Sequence, residues 1–333
     1  MWLLAIVLVV AAVVGAGCLR LSDGSNGTPK TSQTQTTTSA DNDGAGRTPP
    51  TDDSAGLPTN SEAAAPADDL TVVFLDVGQA NAAYLECGGQ AALIDGGNRG
   101  DSSLVYSFLR RRGVDYLRYV INTHPDEDHV GGLAGALQYA AQTDARVDAC
   151  LCSTTEYGTK AWANFVSAAD AAGVALTVPA RGATFQLGDA TIQVVGHMTT
   201  GTTEDDNGLV LLVTHGDNTF LFTGDISTAA EAPLVNDAAL ADIDVLSVAH
   251  HGSNTSTGYV FLRHTNPRYA VISCGRNNQY GHPTEAVLSR LRDQGATLYR
   301  CDLQGDVSFV SDGAELTATC DHAATGDLYA PGR

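Results

Sequence analysis

The fold is decided by the stretch Thr123-His124-Pro125-Asp126-Glu127-Asp128-His129-Val130-Gly131-Gly132, which places two histidines and two aspartates within six residues. It follows a predicted buried strand, 116–122, and precedes a predicted helix that Gly131-Gly132 open and that runs to residue 139. Strand ends are where α/β proteins place their sites. Two imidazoles and two carboxylates suit Zn²⁺, and the carboxylates also admit Mn²⁺. A helix N-cap would explain one aspartate, but not the flanking histidines.

Further polar residues follow other predicted strands. Asp225 ends the strand 219–223, and its carboxylate could bridge two metals. His282 follows the strand 269–274 and is a candidate for the last ligand. His250 and His251 follow the strand 245–248. Adjacent side chains of an extended chain point opposite ways, so we expect at most one of the two imidazoles to face the metals.

Other residues are candidates for supporting roles. Gly252-Ser253-Asn254 offers backbone N–H groups and small polar side chains, with Ser253 and Asn254 placed to hold an anionic oxygen such as a phosphate. Asp76 and Asp95 end the first and third predicted strands. Such carboxylates can orient metal-binding imidazoles, and Asp95 is the better candidate. The alternative is that both are turn residues.

The charge balance limits the partners of this protein. Its 333 residues include 38 acidic and 18 basic ones, for a net charge of -20, and its only lysines are Lys30 and Lys160. This balance argues against a broad basic surface for nucleic acid. It favours adaptation to concentrated salt, which screens the repulsion between acidic groups. A merely soluble acidic surface is the alternative.

The first seventy residues differ from the rest. Residues 2–17 are apolar but short for a transmembrane helix, and they end in Gly15-Ala16-Gly17-Cys18. This pattern is typical of a lipoprotein signal, in which Cys18 is lipidated. An uncleaved membrane anchor and an ordinary secretion signal are the alternatives, and all three place the remainder outside the cytoplasm. Residues 22–69 hold hardly any large apolar side chain, so we expect a disordered stalk.

The predicted organisation is therefore an anchor region at 1–21, a stalk at 22–69, a hydrolase domain at 70–322 and a tail at 323–333. Six cysteines besides Cys18 permit disulfides in an oxidising location, with Cys301 and Cys320 the preferred pair and buried free thiols the alternative. Helices are predicted over Ser102–Arg112, Lys160–Ala172, 231–240 and 284–294. Two successive halves of strands and helices predict an α/β fold, a four-layer αββα sandwich.

These motifs resemble the metallo-β-lactamase superfamily and, more narrowly, the hydrolase domain of the competence protein ComEC and its stand-alone relatives. The resemblance covers about residues 70 to 312. It rests on Phe74 to Gln79, Ile94 to Gly97, Thr123 to Gly132, Asn207 to Val213, Phe222 to Asp225, His250 to Asn254 and Tyr280 to Pro283.

The resemblance implies an αββα fold and one or two divalent metals, Zn²⁺ or Mn²⁺. Asp126 stands where the superfamily has histidine, as is typical of the ComEC-like branch, and Asn207 stands at another position that is usually histidine. Both changes replace nitrogen by oxygen, which favours Mn²⁺ or lower occupancy of one metal. The family's Val-Gly-Gln-Gly-Asp is Val77-Gly78-Gln79-Ala80-Asn81 here.

The implied site divides the ligands between two metals. His124, Asp126 and Asn207 would bind the first, Asp128, His129 and His282 would bind the second, and Asp225 would bridge them. Water activated by the metals would attack the substrate, with Asp128 essential and His250 or His251 contacting the substrate or protonating the leaving group.

Three functions are compatible with this site. The first is an extracytoplasmic phosphodiesterase or nuclease, tethered to a membrane by its N-terminal anchor, with single-stranded DNA as a candidate substrate. The second is a hydrolase of a lactam, ester or thioester bond. The third is a non-catalytic surface protein on this fold. No protein partner is predicted.

Overall fold

The computed structural model describes residues 68–197 and 207–332. The described strands are β1 Leu70–Phe74, β2 Ala82–Cys87, β3 Gln90–Gly96, β4 Leu117–Asn122, β5 Ala149–Cys152, β6 Leu176–Thr177, β7 Thr184–Leu187, β8 Ala190–His197, β9 Leu209–His215, β10 Asn218–Phe222, β11 Val245–Ser247, β12 Tyr269–Ile272, β13 Thr297–Arg300, β14 Val307–Ser311 and β15 Leu316–Cys320. The α-helices are α1 Ser102–Arg112, α2 Glu127–Val130, α3 Leu133–Thr143, α4 Lys160–Ala172, α5 Thr228–Glu231, α6 Tyr259–Thr265, α7 Glu285–Gln294 and α8 Cys301–Gln304.

The strands form two mixed sheets. The first has the order β15-β14-β1-β2-β3-β4-β5-β6, and the second has the order β13-β12-β11-β10-β9-β8-β7. In each sheet four successive strands are parallel, β3 to β6 in the first and β10 to β13 in the second. The carboxyl ends of parallel strands lie at one edge of their sheet, so the loops that follow them can meet.

Apolar side chains from the inner faces of both sheets pack in a central core. Phe74 stacks on Phe222 with ring centroids 5.6 Å apart, and Phe309 packs edge-on against Phe74 and Phe220. The outer face of the first sheet packs on α1, α3 and α4, and that of the second packs on α6 and α7. The predicted four-layer αββα sandwich is therefore confirmed.

The segment 231–240, predicted as one helix, is broken into short turns, so that prediction is wrong. After α5, two 3₁₀ turns follow at Leu234–Asn236 and Ala238–Leu240. Asp237 has an extended backbone, and its side chain accepts the N–H of Ala239, which starts a new turn instead of continuing the old one.

The six cysteines of the described ranges are free thiols, so the preferred Cys301–Cys320 disulfide is not formed. Cys301 begins α8 and is buried, and burial raises the pKa of its thiol. The Cys320 sulfur instead lies 3.4 Å from the amide nitrogen of Gln304, which donates to it. The alternative expectation of free thiols is the one that the structure supports.

The predictions of the anchor, of lipidation at Cys18 and of most of the stalk concern residues 1–67, which lie outside the described residues. Within 68–197 and 207–332, none of the helices has the length and apolarity that a membrane crossing requires. The predicted tail, as far as residue 332, packs on the domain. The guanidinium of Arg300 donates to the carbonyl oxygens of Leu328 and Ala330, and the Gly332 N–H donates to the Pro283 oxygen at 2.8 Å.

Candidate metal centre

Four side chains from the ends of both sheets converge at one point. Asp128 and His129 follow β4 of the first sheet, whereas Asp225 follows β10 and His251 follows β11 of the second. Each offers one ligand atom, and these four atoms lie within 4.8 Å of one another. His129, Asp225 and His251 are buried, and Asp128 is partly exposed. The cluster is therefore a candidate metal centre between the two sheets that opens to solvent near Asp128.

His129 is held in place by a carboxylate behind it. Its Nδ1 lies 2.9 Å from Oδ2 of Asp95, which also accepts the Thr123 hydroxyl at 2.5 Å. The other oxygen of Asp95 accepts the Thr123 N–H at 2.8 Å. Because an ionised carboxylate only accepts hydrogen bonds, Nδ1 of His129 carries a proton and Nε2 faces Asp225. Asp95 thus occupies the position that a carboxylate orienting a ligand would need.

His251 is oriented by a backbone carbonyl. Its Nδ1 lies 2.9 Å from the Ser273 oxygen, which can only accept, so the Nδ1–H donates and Nε2 faces Asp128 at 3.2 Å. His250 and His251 both have left-handed backbone angles, with φ of 51° and 54°. Both imidazoles therefore approach the same oxygen of Asp225, each with its Nε2 at 3.7 Å. The expectation that the two side chains point opposite ways is wrong, because the chain there is not extended.

The donor set fits a divalent cation. Nε2 of His129 and Oδ1 of Asp225 lie 3.0 Å apart, but they do not meet with the geometry of a hydrogen bond. Among the described residues, neither of these buried atoms has a hydrogen-bond partner. Buried polar atoms in folded proteins are nearly always paired. Two imidazole nitrogens and two carboxylates aimed at one point are the ligands that Zn²⁺ and Mn²⁺ accept.

The electrostatics of the cluster agree with this. Burial opposes ionisation of Asp225, but the imidazoles of His129 and His251 outweigh it and hold its pKa well below the usual range. Burial likewise lowers the pKa of His129, yet Asp225 and Asp95 raise it well above the usual value. The carboxylates of Asp128 and Asp225 thus need positive charge beside them, which protonated imidazoles or a cation can supply.

Two of the ligands predicted for the first metal, His124 and Asp126, border the cluster. His124 is buried with its ring centroid 5.5 Å from that of His129, and its Nδ1 lies 3.7 Å from Oδ2 of Asp126. Asp126 accepts the Tyr157 hydroxyl at 2.6 Å, and its side chain makes no capping bond to α2. Asn207 begins the second described range, two residues before β9. Three members of the predicted ligand set, Asp128, His129 and Asp225, thus bring ligand atoms within 4.8 Å of one another, and His251 joins them. Metal binding by His124, Asp126 and Asn207 stays a prediction.

His282 lies beside the cluster, with its ring 5.8 Å from that of His250. The Gln79 amide oxygen accepts the Gly275 N–H at 3.0 Å, so its nitrogen is the atom that donates to Nδ1 of His282 at 3.3 Å. Burial and the neighbouring imidazoles lower the pKa of His282 to about 4, so it is neutral and carries its proton on Nε2. Nδ1 therefore accepts a hydrogen bond in His282, whereas Nδ1 donates one in His129.

The turn after the histidines is fixed from two sides. Ser253 is buried, donates its N–H to the His250 oxygen at 2.8 Å and pairs its hydroxyl with Thr255, whereas Asn254 is exposed. The carboxylate of Glu231, only 2% exposed, accepts the backbone N–H groups of Thr257 and Gly258. The Ser253 N–H is therefore already used within the protein, and it is not available to an anionic oxygen.

Glu231 gives a prediction for pH. Burial raises its pKa from 4.5 to about 7, although the two N–H donors and Arg290 oppose this. The folded state thus holds this proton more tightly, so the stability it contributes is complete below pH 4.5 and is lost as the pH rises through about 7. Between pH 5 and 8, the unfolding free energy of the wild-type chain should fall by about 2 kcal/mol relative to Glu231→Gln. Urea unfolding at a series of pH values measures this, and parallel profiles would contradict it.

Asp76 does not reach the metal centre. It is exposed, its N–H donates to Asp306 at 2.8 Å, and its carboxylate accepts the Gly78 N–H at 3.3 Å. Although the residue as a whole is exposed, its carboxyl group is half-buried, and this burial, with the nearby Asp302 and Asp321, raises the pKa of Asp76. Its expected role beside an imidazole is wrong, and the alternative of a turn residue is the one the structure supports.

Several residues that build the site carry no strong signal of their own in the sequence. Ser273 contacts His251, and Tyr157 contacts Asp126. Tertiary structure brings each pair together, and no local sequence pattern indicates it. Gln79 and Thr123 lie inside the motifs that were recognised, so their positions in those motifs were the available signal.

Comparisons with known proteins agree with this architecture. Residues 75–276 match the model of a family described as the metallo-beta-lactamase superfamily. The chain is 30% identical over 203 residues to ComE operon protein 3 of Bacillus subtilis, covering 61% of the chain and 26% of that protein. It is 47% identical over 108 residues to competence protein ComA of Neisseria gonorrhoeae, covering 32% and 16%. It is 30% identical over 250 residues to recombination protein 2 of Haemophilus influenzae, covering 73% and 29%.

The chain thus spans between 16% and 29% of the length of these curated relatives.

Proposed function

Since this chain belongs to the metallo-β-lactamase superfamily, we propose that it is a metal-dependent phosphodiesterase or nuclease. One observation carries the proposal: the ligand atoms of Asp128, His129, Asp225 and His251 lie within 4.8 Å of one another, and the last three residues are buried. When bound, a divalent cation would polarise a phosphoryl oxygen of the substrate and lower the pKa of a bound water towards neutral pH.

The residues around the cluster divide the remaining tasks. Asp95 and Ser273 fix the ring orientations of His129 and His251, so that both Nε2 atoms face the carboxylates. His282 and His250 border the cluster with neighbouring rings and can donate hydrogen bonds to substrate oxygens. His250 is one-quarter exposed and so is the better placed of the adjacent histidines to contact a leaving group.

A phosphodiester is favoured over a lactam, ester or thioester by the names of the relatives. Competence and recombination are both processes of DNA, whose backbone consists of phosphodiesters. The net charge of -20 opposes binding of a long polyanion at low salt, but concentrated salt screens that repulsion. We therefore place the substrate among short or single-stranded nucleic acids, and the working environment outside the cytoplasm, where Cys18 would tether the chain.

The metal content tests the proposal first. The purified full-length chain should retain about one Zn²⁺ or Mn²⁺ per molecule, because the four ligands form a single cluster. Elemental analysis after gentle preparation measures the metal content. A protein that holds no metal and binds none on titration with Zn²⁺ or Mn²⁺ would refute the proposal that it is a metal-dependent enzyme. The protein should then be incubated with each of three substrates, with Zn²⁺ or Mn²⁺ at low and high salt: single-stranded DNA, bis-p-nitrophenyl phosphate and nitrocefin. We expect hydrolysis of the first two, which are phosphodiesters. Cleavage of nitrocefin alone would instead assign a lactam.

Radioactive lipid labelling of cells that express the chain tests the tether. The wild-type protein should take up label and Cys18→Ser should not. An unlabelled wild-type protein would exclude the lipid anchor.

A further inference from the structure

Beside the metal cluster lies an exposed aromatic ring with no function in the scheme above. Tyr280 is 61% exposed, and its ring stacks on that of His282 with centroids 5.6 Å apart and planes inclined by 25°. His282 in turn lies 5.8 Å, ring to ring, from His250, which approaches Asp225. A chain of rings therefore leads from the solvent to the cluster.

The loop that carries Tyr280 is held rigidly. The side-chain oxygen of Asn278 accepts the N–H groups of Tyr280 and His282 at 3.1 and 3.0 Å, and its nitrogen donates to the Gly275 oxygen at 2.8 Å. Gly332 of the C-terminal tail packs so closely that a Cβ there would lie 2.0 Å from the His282 oxygen. A platform fixed in this way loses little conformational entropy when a ligand binds.

The negative charge of the chain favours a contact to nucleic acid that does not depend on charge. With a net charge of -20, the protein cannot attract a polyanion by a broad electrostatic surface. Stacking of a base on an aromatic ring is independent of net charge and accepts every base. Base stacking can therefore contribute binding affinity that the negatively charged surface does not provide.

We propose that Tyr280 is the stacking platform for a nucleobase next to the phosphodiester bound at the metal cluster. This rests on the proposed function and names its specificity: a nucleotide chain that carries bases, as opposed to a bare phosphodiester. Tyr280 acts by binding and positioning, and it takes no part in bond cleavage.

Binding of two labelled oligomers tests this on the full-length chain, without metal and with Mn²⁺. One is fluorescein-labelled oligothymidylate, and the other has the same length and backbone but abasic sites. Tyr280→Ala should weaken binding of oligothymidylate about 5- to 150-fold, to the level of the abasic oligomer, because one stacked base is lost. Tyr280→Phe should bind like the wild type. Tyr259→Ala is a matched control, since Tyr259 is 50% exposed on α6 and bonds Asp293.

Three outcomes would overturn the platform: wild-type binding that is equal for the two oligomers, no binding of either, or a Tyr280→Ala loss that is equal for both. The last would indicate that Tyr280 merely supports His282. Hydrolysis of oligothymidylate in Mn²⁺ is measured separately. If binding depends on the bases but no hydrolysis occurs, the phosphodiesterase proposal is refuted and the stacking platform stands. If hydrolysis occurs and Tyr280→Ala has the same KM as the wild type, the stacking platform alone is refuted.

Discussion

Replacing Asp128 with alanine should lower kcat/KM for a phosphodiester by about a thousand-fold or more. A bound cation stabilises the transition state by several kcal/mol, and that stabilisation depends on this ligand. Asp128 supplies the one partly exposed carboxylate of the cluster, 3.2 Å from His251. Its loss should leave the fold intact, since its side chain is about one-third exposed and belongs to the polar cluster instead of the apolar core. Hydrolysis of single-stranded DNA and calorimetric titration with Mn²⁺ and Zn²⁺ measure the two effects, activity and cation affinity.

Glu127→Ala is the matched control for this substitution. Glu127 is the neighbouring acidic residue on the same turn, but it is exposed and lies outside the cluster. Its removal should change neither cation affinity nor activity. If Asp128→Ala and Glu127→Ala bind the cation equally well, the cluster is not the metal centre.

Gly132→Ala should destabilise the protein by about 3 kcal/mol, because the closest approach of two chain segments leaves no room for a methyl group. A Cβ at Gly132 would lie 1.8 Å from the Gly96 carbonyl oxygen, at the end of β3. The Gly132 N–H also donates to the Gly97 oxygen at 3.1 Å, which fixes the start of α3 against this strand. Neither partner is a flexible side chain, so the backbone itself would have to move.

Gly100→Ala separates this clash from any general cost of losing a glycine. Gly100 has open space around its Cβ position. Its replacement should change the unfolding free energy little, while Gly132→Ala should lower the melting temperature by about 6 to 12 °C. Calorimetry of both variants measures the difference, and equal melting temperatures would show that the two segments can move apart.

Where the signals are local, the sequence predicts the fold well. The bounds of α1 and α4 agree with the prediction, since Gly113 takes the left-handed conformation that ends α1, and the Thr159 hydroxyl accepts the Trp162 N–H at the start of α4. The sequence does not predict strand β7. It is four residues long, lies at the edge of its sheet and pairs with β8, so pairing defines it more than its own composition does.

The same contrast holds for the site. The spacing of His124 to His129 marks a metal site, but it cannot tell which of those side chains turn inward. The inclusion of His251, and the binding of Asp126 by Tyr157, follow from a left-handed turn and from the packing of distant segments. The contact of Asp95 with His129 agrees with the choice of Asp95 as the better of the two carboxylates at strand ends, although the sequence could not say which imidazole it would contact.

The convergence of the two sheets on one cluster has a kinetic consequence. Asp128 and His251 are 123 residues apart in the chain, yet their side-chain atoms lie 3.2 Å apart. A cation held by both ties one sheet to the other and closes a long loop, which the unfolded chain would have to close at an entropic cost. Because such a cation binds the folded state alone, its free concentration shifts the opening equilibrium on which proteases act. The lifetime of the folded protein would then follow the supply of that cation.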